Sequence, residues 1–364
     1  MTTVPDSIKK QIVRRLSAWY DRHARKLPWR ETSDPYRIWI SEIMLQQTQV
    51  DTVIPYYHRF LENFPDVETL AKAPLEDVLK AWENLGYYSR ARHLHDAAKI
   101  VISDFGGRIP DTFESIRKLP GIGPYSAGAV LSIAYGLSYP AVDGNIRRIL
   151  CRLFAIQKFV DDAREQKELF ALAASLVPAK NPGNFNQALM DLGAGICKPK
   201  NPACPDCPIA PICLAQKNAL QEKLPLVRKP RLIPHKQSVC AVIENDKGQM
   251  LMVQRPPKGL LASLWKLPGG FVTDTEQIQT ALKHRVREEL AISIHPEKKL
   301  ASVQHTYTHF RATLSAWKCR VLRGHPRSLG CQSFCWADEQ DLKKLTLSKI
   351  DRMILMTLSD LRSP

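Results

Sequence analysis

No apolar run in this 364-residue chain approaches the ~18 residues needed to cross a bilayer, so a membrane-spanning helix is excluded. Met1 to Tyr20 also lacks the apolar core of a signal peptide. Lys9, Lys10, Arg14 and Arg15 are interleaved there with Ile8, Ile12, Val13 and Leu16 as in an amphipathic helix, and a cytoplasmic protein is expected. No internal repeat of short period is present, which excludes a solenoid. Acidic residues are in deficit, 36 against 52 Lys and Arg, for a formal net charge of +16. A surplus of that size disfavours self-association, so a monomer is expected, and it attracts polyanions, nucleic acid being the commonest. What is present is ordinary for folded protein: 44% apolar and 24% charged residues, in a length that suits two domains and a linker.

Up to about Ala219 apolar residues recur at helical spacing, as in Trp39, Ile40, Ile43, Met44, or Leu75, Val78, Leu79, Trp82, or Leu169, Leu172, Leu176. Pro35, Pro65, Pro74, Gly106-Gly107, Pro120 and Pro140 cut this stretch into short helices, and nothing in it reads as a long strand. An all-α region is therefore predicted over 1–221. Between Glu222 and Lys236, Pro225, Pro230 and Pro234 alternate with Lys223, Arg228, Lys229, Arg231 and His235, the composition of a semi-rigid basic linker. Over 237–364 the pattern becomes α+β. Val239, Ala241 and Ile243, a turn at Asp246-Lys247-Gly248, then Leu251 and Val253 predict a hairpin. A strand is expected over Phe310 to Val321, and helices over Glu276 to Leu290 and Leu342 to Leu361.

Four groups of residues carry chemistry. Leu119-Pro120-Gly121-Ile122-Gly123-Pro124-Tyr125 reads as a helix end, a glycine turn and a new helix opening near Tyr125. Gly121 and Gly123 there allow positive φ and an unobstructed approach of backbone N–H groups to an anion, beside a helix N-terminus: a helix–hairpin–helix phosphate clamp. Some twenty residues on, Asp143 precedes the helix of Ile146, Ile149, Leu150 and Leu153, where it is either a simple N-cap or a carboxylate facing a reacting sugar. Glu42 lies in the strongly apolar Trp39–Leu45 stretch, where it is either a solvated residue on a polar helix face or an acid whose loss of solvent favours the protonated form, and is followed by Gln46, Gln47 and Thr48, suited to base edges. Finally, four of the nine cysteines, Cys197, Cys204, Cys207 and Cys213, fall within seventeen residues. Pro199, Pro202, Pro205, Pro208 and Pro211 recur every third residue among them and exclude helix, leaving a loop able to wrap zinc or an iron–sulfur centre.

Together these groups resemble the endonuclease III superfamily of DNA glycosylases. Leu27-Pro28-Trp29-Arg30, Ser41 to Thr48 and Val142 to Asn145 are similar to its adenine DNA glycosylase branch. The resemblance implies a six-helix barrel module over 29–137 and an iron–sulfur module from 1–28 and 138–221, with one [4Fe–4S] cluster on the four cysteines. It implies double-stranded DNA with adenine opposite 8-oxoguanine or guanine as substrate, and leaves room for other repair proteins as partners. By the same resemblance Glu42 protonates adenine, Asp143 stabilises the sugar cation, and Tyr125 and Asn145 organise the site. Arg30 and Gln187 contact the extruded base, Gln47 and Tyr87 wedge near the lesion, and Leu45, Thr48, Gly121 and Gly123 touch DNA. Lyase-type members carry Lys where this chain has Tyr125, and without that amine no Schiff base forms with the sugar.

The second domain resembles a nudix domain of the MutT type. Read from Gly270 and Glu276, the nudix box keeps Glu288 and Glu289 but has His284, Arg285 and Ala291 where Arg, Glu and Gly are usual. A positive charge among would-be magnesium ligands implies a reader of nucleotides that has lost hydrolysis. The Phe-Ser-His turn that the family uses for 8-oxoguanine reads Tyr307-Thr308-His309 here, with the hydroxyl and the imidazole kept.

Overall fold

The computed structural model describes residues 4–228, 232–273 and 275–360. Met1, Lys229, Pro230, Arg231 and Leu361, which figure in the expectations above, lie outside them. The chain forms two compact units, one of 1–73 with 90–230 and one of 74–89 with 231–364.

The described residues of the first unit are helical throughout, with no strand among them. Helix Asp6–His23 buries Ile12, Leu16 and Tyr20 against Ile146, Ile149, Leu150, Leu169, Leu189 and Leu192 of three later helices, so the start of the chain packs on residues far along it. Helix Pro35–Leu45 is apolar on nearly every side and sits in the interior, as such a helix must. It starts cleanly: Pro35 needs no hydrogen bond at that position, and the Asp34 carboxylate accepts from Tyr36 N at 2.8 Å. At its other end the Arg90 guanidinium donates to the carbonyls of Ile43 (2.9 Å), Met44 (2.8 Å) and Gln46 (2.5 Å), satisfying the acceptors a buried helix end leaves open. The proline-rich cysteine loop contains no α-helix but does form two single 3₁₀ turns, Cys204–Asp206 and Ala210–Ile212. Proline at the start of so short a turn removes no needed donor, which corrects the expectation that helix of any kind is excluded there.

The described residues of the second unit form seven strands: β1 His235–Val242, β2 Met250–Gln254, β3 Trp265–Lys266, β4 Gly269–Phe271, β5 Ser293–Thr306, β6 Arg311–Arg323 and β7 Ser333–Ala337. One sheet has the order β4-β1-β6-β5 and the other β3-β2-β7. The expected hairpin is thus corrected. Both edges of β1 are taken, by β4 and by the parallel strand β6, so β2 leaves to pair with β3 and β7. What remains of it lies next to the turn at Gly248: the Glu244–Met250 bridge and the bonds from Leu251 N to Ile243 O and from Asn245 N to Gln249 O. Strand β1 is buried on both faces, Val239 and Ala241 against Leu282 and Val286 of helix Ile278–Leu290, Cys240 and Val242 in one cluster with Ile350 and Ile354 of helix Lys349–Asp360. Leu342–Leu361 is not one helix: it is split into Glu339–Lys344 and Lys349–Asp360. The residues between are held extended because Thr346 O accepts from Trp265 N, and Ser348 Oγ accepts from Asp351 N to restart the helix. Residues 74–89, expected within the helical barrel, group with this unit. Glu83 pairs with Arg352, Tyr88 Oη donates to Leu347 O at 3.1 Å, and Lys80 Nζ donates to Lys343 O at 2.8 Å. Ala291, at the nudix glycine position, ends helix Ile278–Leu290 with φ of 59°, a conformation in which glycine costs less.

Candidate active site

Three elements of the first unit bring the expected catalytic groups together. Tyr125, in the first turn of helix Pro124–Ile133, donates its hydroxyl to Glu42 Oε2 at 2.6 Å. Asp143 caps helix Gly144–Leu153, one carboxylate oxygen accepting from Ile146 N at 2.7 Å and the other from Asn145 Nδ2 at 3.1 Å. The Asn145 amide is oriented in turn by Arg148, which donates to its Oδ1 at 2.8 Å. Asp143 is therefore the N-cap of this helix with one oxygen, while its other oxygen is held by the Asn145 side chain.

Gly121 has φ of +77°, and a Cβ on it would stand 2.8 Å from His93 Cβ, so the hairpin turn requires glycine. Gly123, by contrast, is extended at φ −85° and serves as the N-cap, which corrects the expectation of a second left-handed glycine. Its Cβ position is open within 4 Å, so access to the backbone is kept. Gly128 was not singled out in the sequence, yet a Cβ there would lie 2.0 Å from Pro140 O. That close approach lets the segment leading to Asp143 run against the Tyr125 helix.

Electrostatics separate the two carboxyls. Glu42 is 3% exposed, and burial pushes its carboxyl up to about 7, the Tyr125 hydrogen bond and Arg30 opposing and Asp143 adding to the rise. Asp143 is also raised by burial, but the N–H groups of Ile146 and Asn145 favour its ionised form. Burial holds the Tyr125 phenol well above its ordinary range, so it stays a donor. Near neutral pH Glu42 therefore keeps a substantial share of its proton, while the hydrogen bonds to Asp143 work toward its ionised form.

Two cavities meet at Tyr125. One of about 50 Å³ is lined by Glu42, Arg30, Leu45, Gln187 and Trp29. The other, of about 700 Å³, opens beside Asp143 and is lined by Arg117, Arg147 and Lys167. Arg30 is clamped by Asp191, a residue without a role in the sequence reading, although a carboxylate between Met190 and Leu192 on an apolar helix is the same signal that Glu42 gave. Beyond the Glu42 helix, Gln47 stands exposed at φ 56° and Thr48 Oγ1 accepts from Arg90 at 3.2 Å.

The remaining expected contacts lie in the second unit. Tyr87, 42% exposed, has its hydroxyl 2.6 Å from Thr308 Oγ1. Thr308 and His309 are exposed at the tip joining β5 to β6, where Tyr307 N donates to Phe310 O.

Cys197, Cys204, Cys207 and Cys213 line one apolar cavity of about 30 Å³ together with Arg152. Arg152 is 2% exposed and donates to Cys197 Sγ at 3.3 Å and to the carbonyls of Lys198 (2.6 Å) and Pro199 (3.0 Å). Among the described residues no three His, Cys, Asp or Glu side chains close in on a position for a single ion. Four sulfurs around a common cavity, with a buried guanidinium beside them, are a soft and wider donor set that fits a thiolate-bound cluster.

Comparison with known proteins agrees with this geometry. The HhH-GPD superfamily of base excision DNA repair proteins matches residues 40–174, and the NUDIX domain matches residues 239–357. Adenine DNA glycosylase of Homo sapiens is 35% identical over 357 residues, covering 83% of this chain and 65% of its own length. That of Buchnera aphidicola subsp. Schizaphis graminum is 37% identical over 293 residues, covering 80% of this chain and 82% of its own. Among solved structures, a thermostable thymine-DNA glycosylase superposes with a TM-score of 0.55 at 33% identity, over 58% of this chain and 98% of that one. An endonuclease III trapped on DNA, 24% identical, shares the fold of the helical part with a TM-score of 0.50 over 60% of this chain and all of that one. A buried Glu42 bonded by Tyr125, a helix–hairpin–helix and a nudix-like second unit, carried on a chain this similar, place the protein in the adenine DNA glycosylase family.

Proposed function

We propose that this protein is a monofunctional DNA glycosylase that removes adenine mispaired with 8-oxoguanine, or with guanine, from duplex DNA in base excision repair, acting as a monomer. The observation that carries the reading is a buried, raised Glu42 bonded to Tyr125, with Tyr125 and Asp143 lining one larger cavity where hydrogen bonds from Ile146 and Asn145 favour the Asp143 carboxylate. Adenine inside the stack is out of reach, so the nucleotide is extruded at a cost of roughly a few kcal/mol, least at a mismatch. Glu42 gives its proton to adenine N7, and the C1′–N9 bond breaks with its electron pair leaving on the base. Asp143 stabilises the oxocarbenium-like sugar, and water adds its oxygen to C1′ while its proton returns to Glu42, a scheme parallel to paired-carboxylate glycosidases. Arg30, Leu45 and Gln187 border the smaller cavity with Glu42 and hold the base; Arg117, Arg147 and Lys167 give the larger one the charge to meet phosphates.

The nudix-like unit reads the opposite base through Thr308 and His309, with Tyr87 bonded to Thr308. It does not hydrolyse nucleotides, because protein cations already occupy its carboxylates. Arg285 bonds Glu276 at 3.1 Å and Glu288 at 3.0 Å, while Glu289 pairs with Lys266 at 2.6 Å and accepts from Gly269 N.

Cys197, Cys204, Cys207 and Cys213 hold one [4Fe–4S] cluster. Bound there, the cluster supplies iron–thiolate bonds that tie together a loop carrying Lys198 and Lys200, and an electron-transfer couple. Cys204→Ser is expected to lose most of its iron and acid-labile sulfide and to bind duplex DNA more weakly; full iron content in that variant would contradict the assignment.

One duplex assay tests the activity. Adenine is placed opposite 8-oxoguanine, guanine or thymine under single turnover, and strands are run with and without hot alkali. The expected order is 8-oxoguanine, then guanine, then no excision opposite thymine, with strands cut only after alkali. Equal rates for all three, or cutting without alkali together with a borohydride-trapped adduct, would contradict the proposal.

A further inference from the structure

Beside the small cavity stands an ion cluster in which the reaction scheme above uses Arg30 but neither Asp191 nor Arg25. Asp191, on helix Pro182–Gly195, has a side chain only 2% exposed. Its two oxygens receive both terminal nitrogens of Arg30, at 2.7 and 2.9 Å, and also Arg25 Nε at 2.6 Å and Arg25 N at 3.2 Å. Arg30 bonds in addition to Arg25 O at 3.1 Å and lies over the Tyr20 ring, so its fork has one orientation. The same Arg30 borders the cavity that holds Glu42 and Gln187. Burial would raise the Asp191 carboxyl, yet the two guanidinia hold it below its ordinary range, so the cluster stays one carboxylate between two cations.

Resting on the adenine-glycosylase reading above, we propose that Asp191 is a positioning residue that fixes the Arg30 fork at the base cavity and balances its charge, so that Glu42 keeps the proton it must donate. The groups whose charge or hydrogen bond acts on Glu42 are Tyr125, Asp143 and Arg30, and Arg25 lines the same cavity. Of these only Arg30 works against the proton through its charge, and only Asp191 and Arg25 are bonded to that charge. Taking the negative charge from Asp191 raises the local positive field, and taking the positive charge from Arg25 lowers it.

The test is the pH profile of single-turnover adenine excision from an adenine:8-oxoguanine duplex by the full chain. In Asp191→Asn the alkaline limb should move to lower pH by ~1 unit, the size expected from one uncompensated neighbouring charge. In Asp191→Glu, which keeps the charge, it should stay where the unaltered protein has it. In Arg25→Ala it should move the other way, to higher pH. A purely structural role for Asp191 would lower the rate by the same factor at every pH and leave the limb in place, which would overturn the inference. Should Asp191→Asn fail to fold, as judged by its melt, Arg25→Ala decides: an upward limb supports the inference and an unmoved one overturns it. If the unaltered protein releases no adenine, the function itself falls rather than this assignment.

Discussion

Glu42→Gln is expected to bind an adenine:8-oxoguanine duplex as the unaltered protein does and to release adenine ~100- to 10,000-fold more slowly, the range over which a positioned acid acts. Glutamine can still accept from Tyr125 Oη, so the site keeps its shape and loses only the transferable proton. Excision by the unaltered protein should fall as pH rises through about 7, because burial has moved the Glu42 carboxyl there and its neutral form is the reactive one. The same burial carries a stability consequence of defined sign. A carboxyl raised on folding adds its full share of stability below the unfolded value near 4.5, and that share is lost as pH rises through about 7. Glu42→Gln should therefore be more stable than the unaltered protein in alkali, by ~3 kcal/mol at most, because each tenfold change in proton affinity is worth about 1.4 kcal/mol. Melts at pH 4 and pH 9 check this: an inactive variant that melts later only at the higher pH is the expected signature, and turnover at the unaltered rate would remove Glu42 from the mechanism.

Asp143→Asn should be nearly as damaging to catalysis and nearly silent in stability. Asparagine is as good an N-cap as aspartate, so the bond from Ile146 N survives the exchange. The negative charge facing the sugar does not, and losing one preorganised electrostatic partner costs ~100- to 1,000-fold in rate. Asp143→Ala loses the cap as well and should cost a further ~1 kcal/mol of stability. The contrast between the two variants, measured as single-turnover rate and as denaturation midpoint, separates the two duties of one side chain. An Asp143→Asn enzyme at full rate would leave the sugar cation without a protein partner.

Local pattern was informative wherever the determinant is local. The mostly apolar Trp39–Leu45 turns pointed to an interior place for Glu42, and the Pro-bounded turn before Ile146 to a cap at Asp143. Left-handed Gly121 and a left-handed Ala291 at the nudix glycine position are likewise where the motifs put them. Long-range pairing was not legible. Alternation in Val239–Ile243 and Leu251–Val253 is what a hairpin looks like, and nothing nearby announces that β4 and β6 have already filled both edges of β1. Arg90 satisfies a helix end 44–47 residues earlier in the chain, and Asp191 grips Arg30 across 161 residues, so neither partnership leaves a mark on local periodicity. Residues 74–89 read as more helices of the first region, but their bonds run to Leu347 and Arg352.

The most direct measurement is the structure of the full-length Asp143→Asn protein on an uncut adenine:8-oxoguanine duplex. The account predicts one extruded adenosine between the two residues, its N7 within hydrogen-bonding distance of Glu42 and its C1′ facing residue 143 from the other side of the glycosidic bond. An adenine left in the stack, or a flipped base that meets Glu42 with its sugar turned away from residue 143, would contradict it.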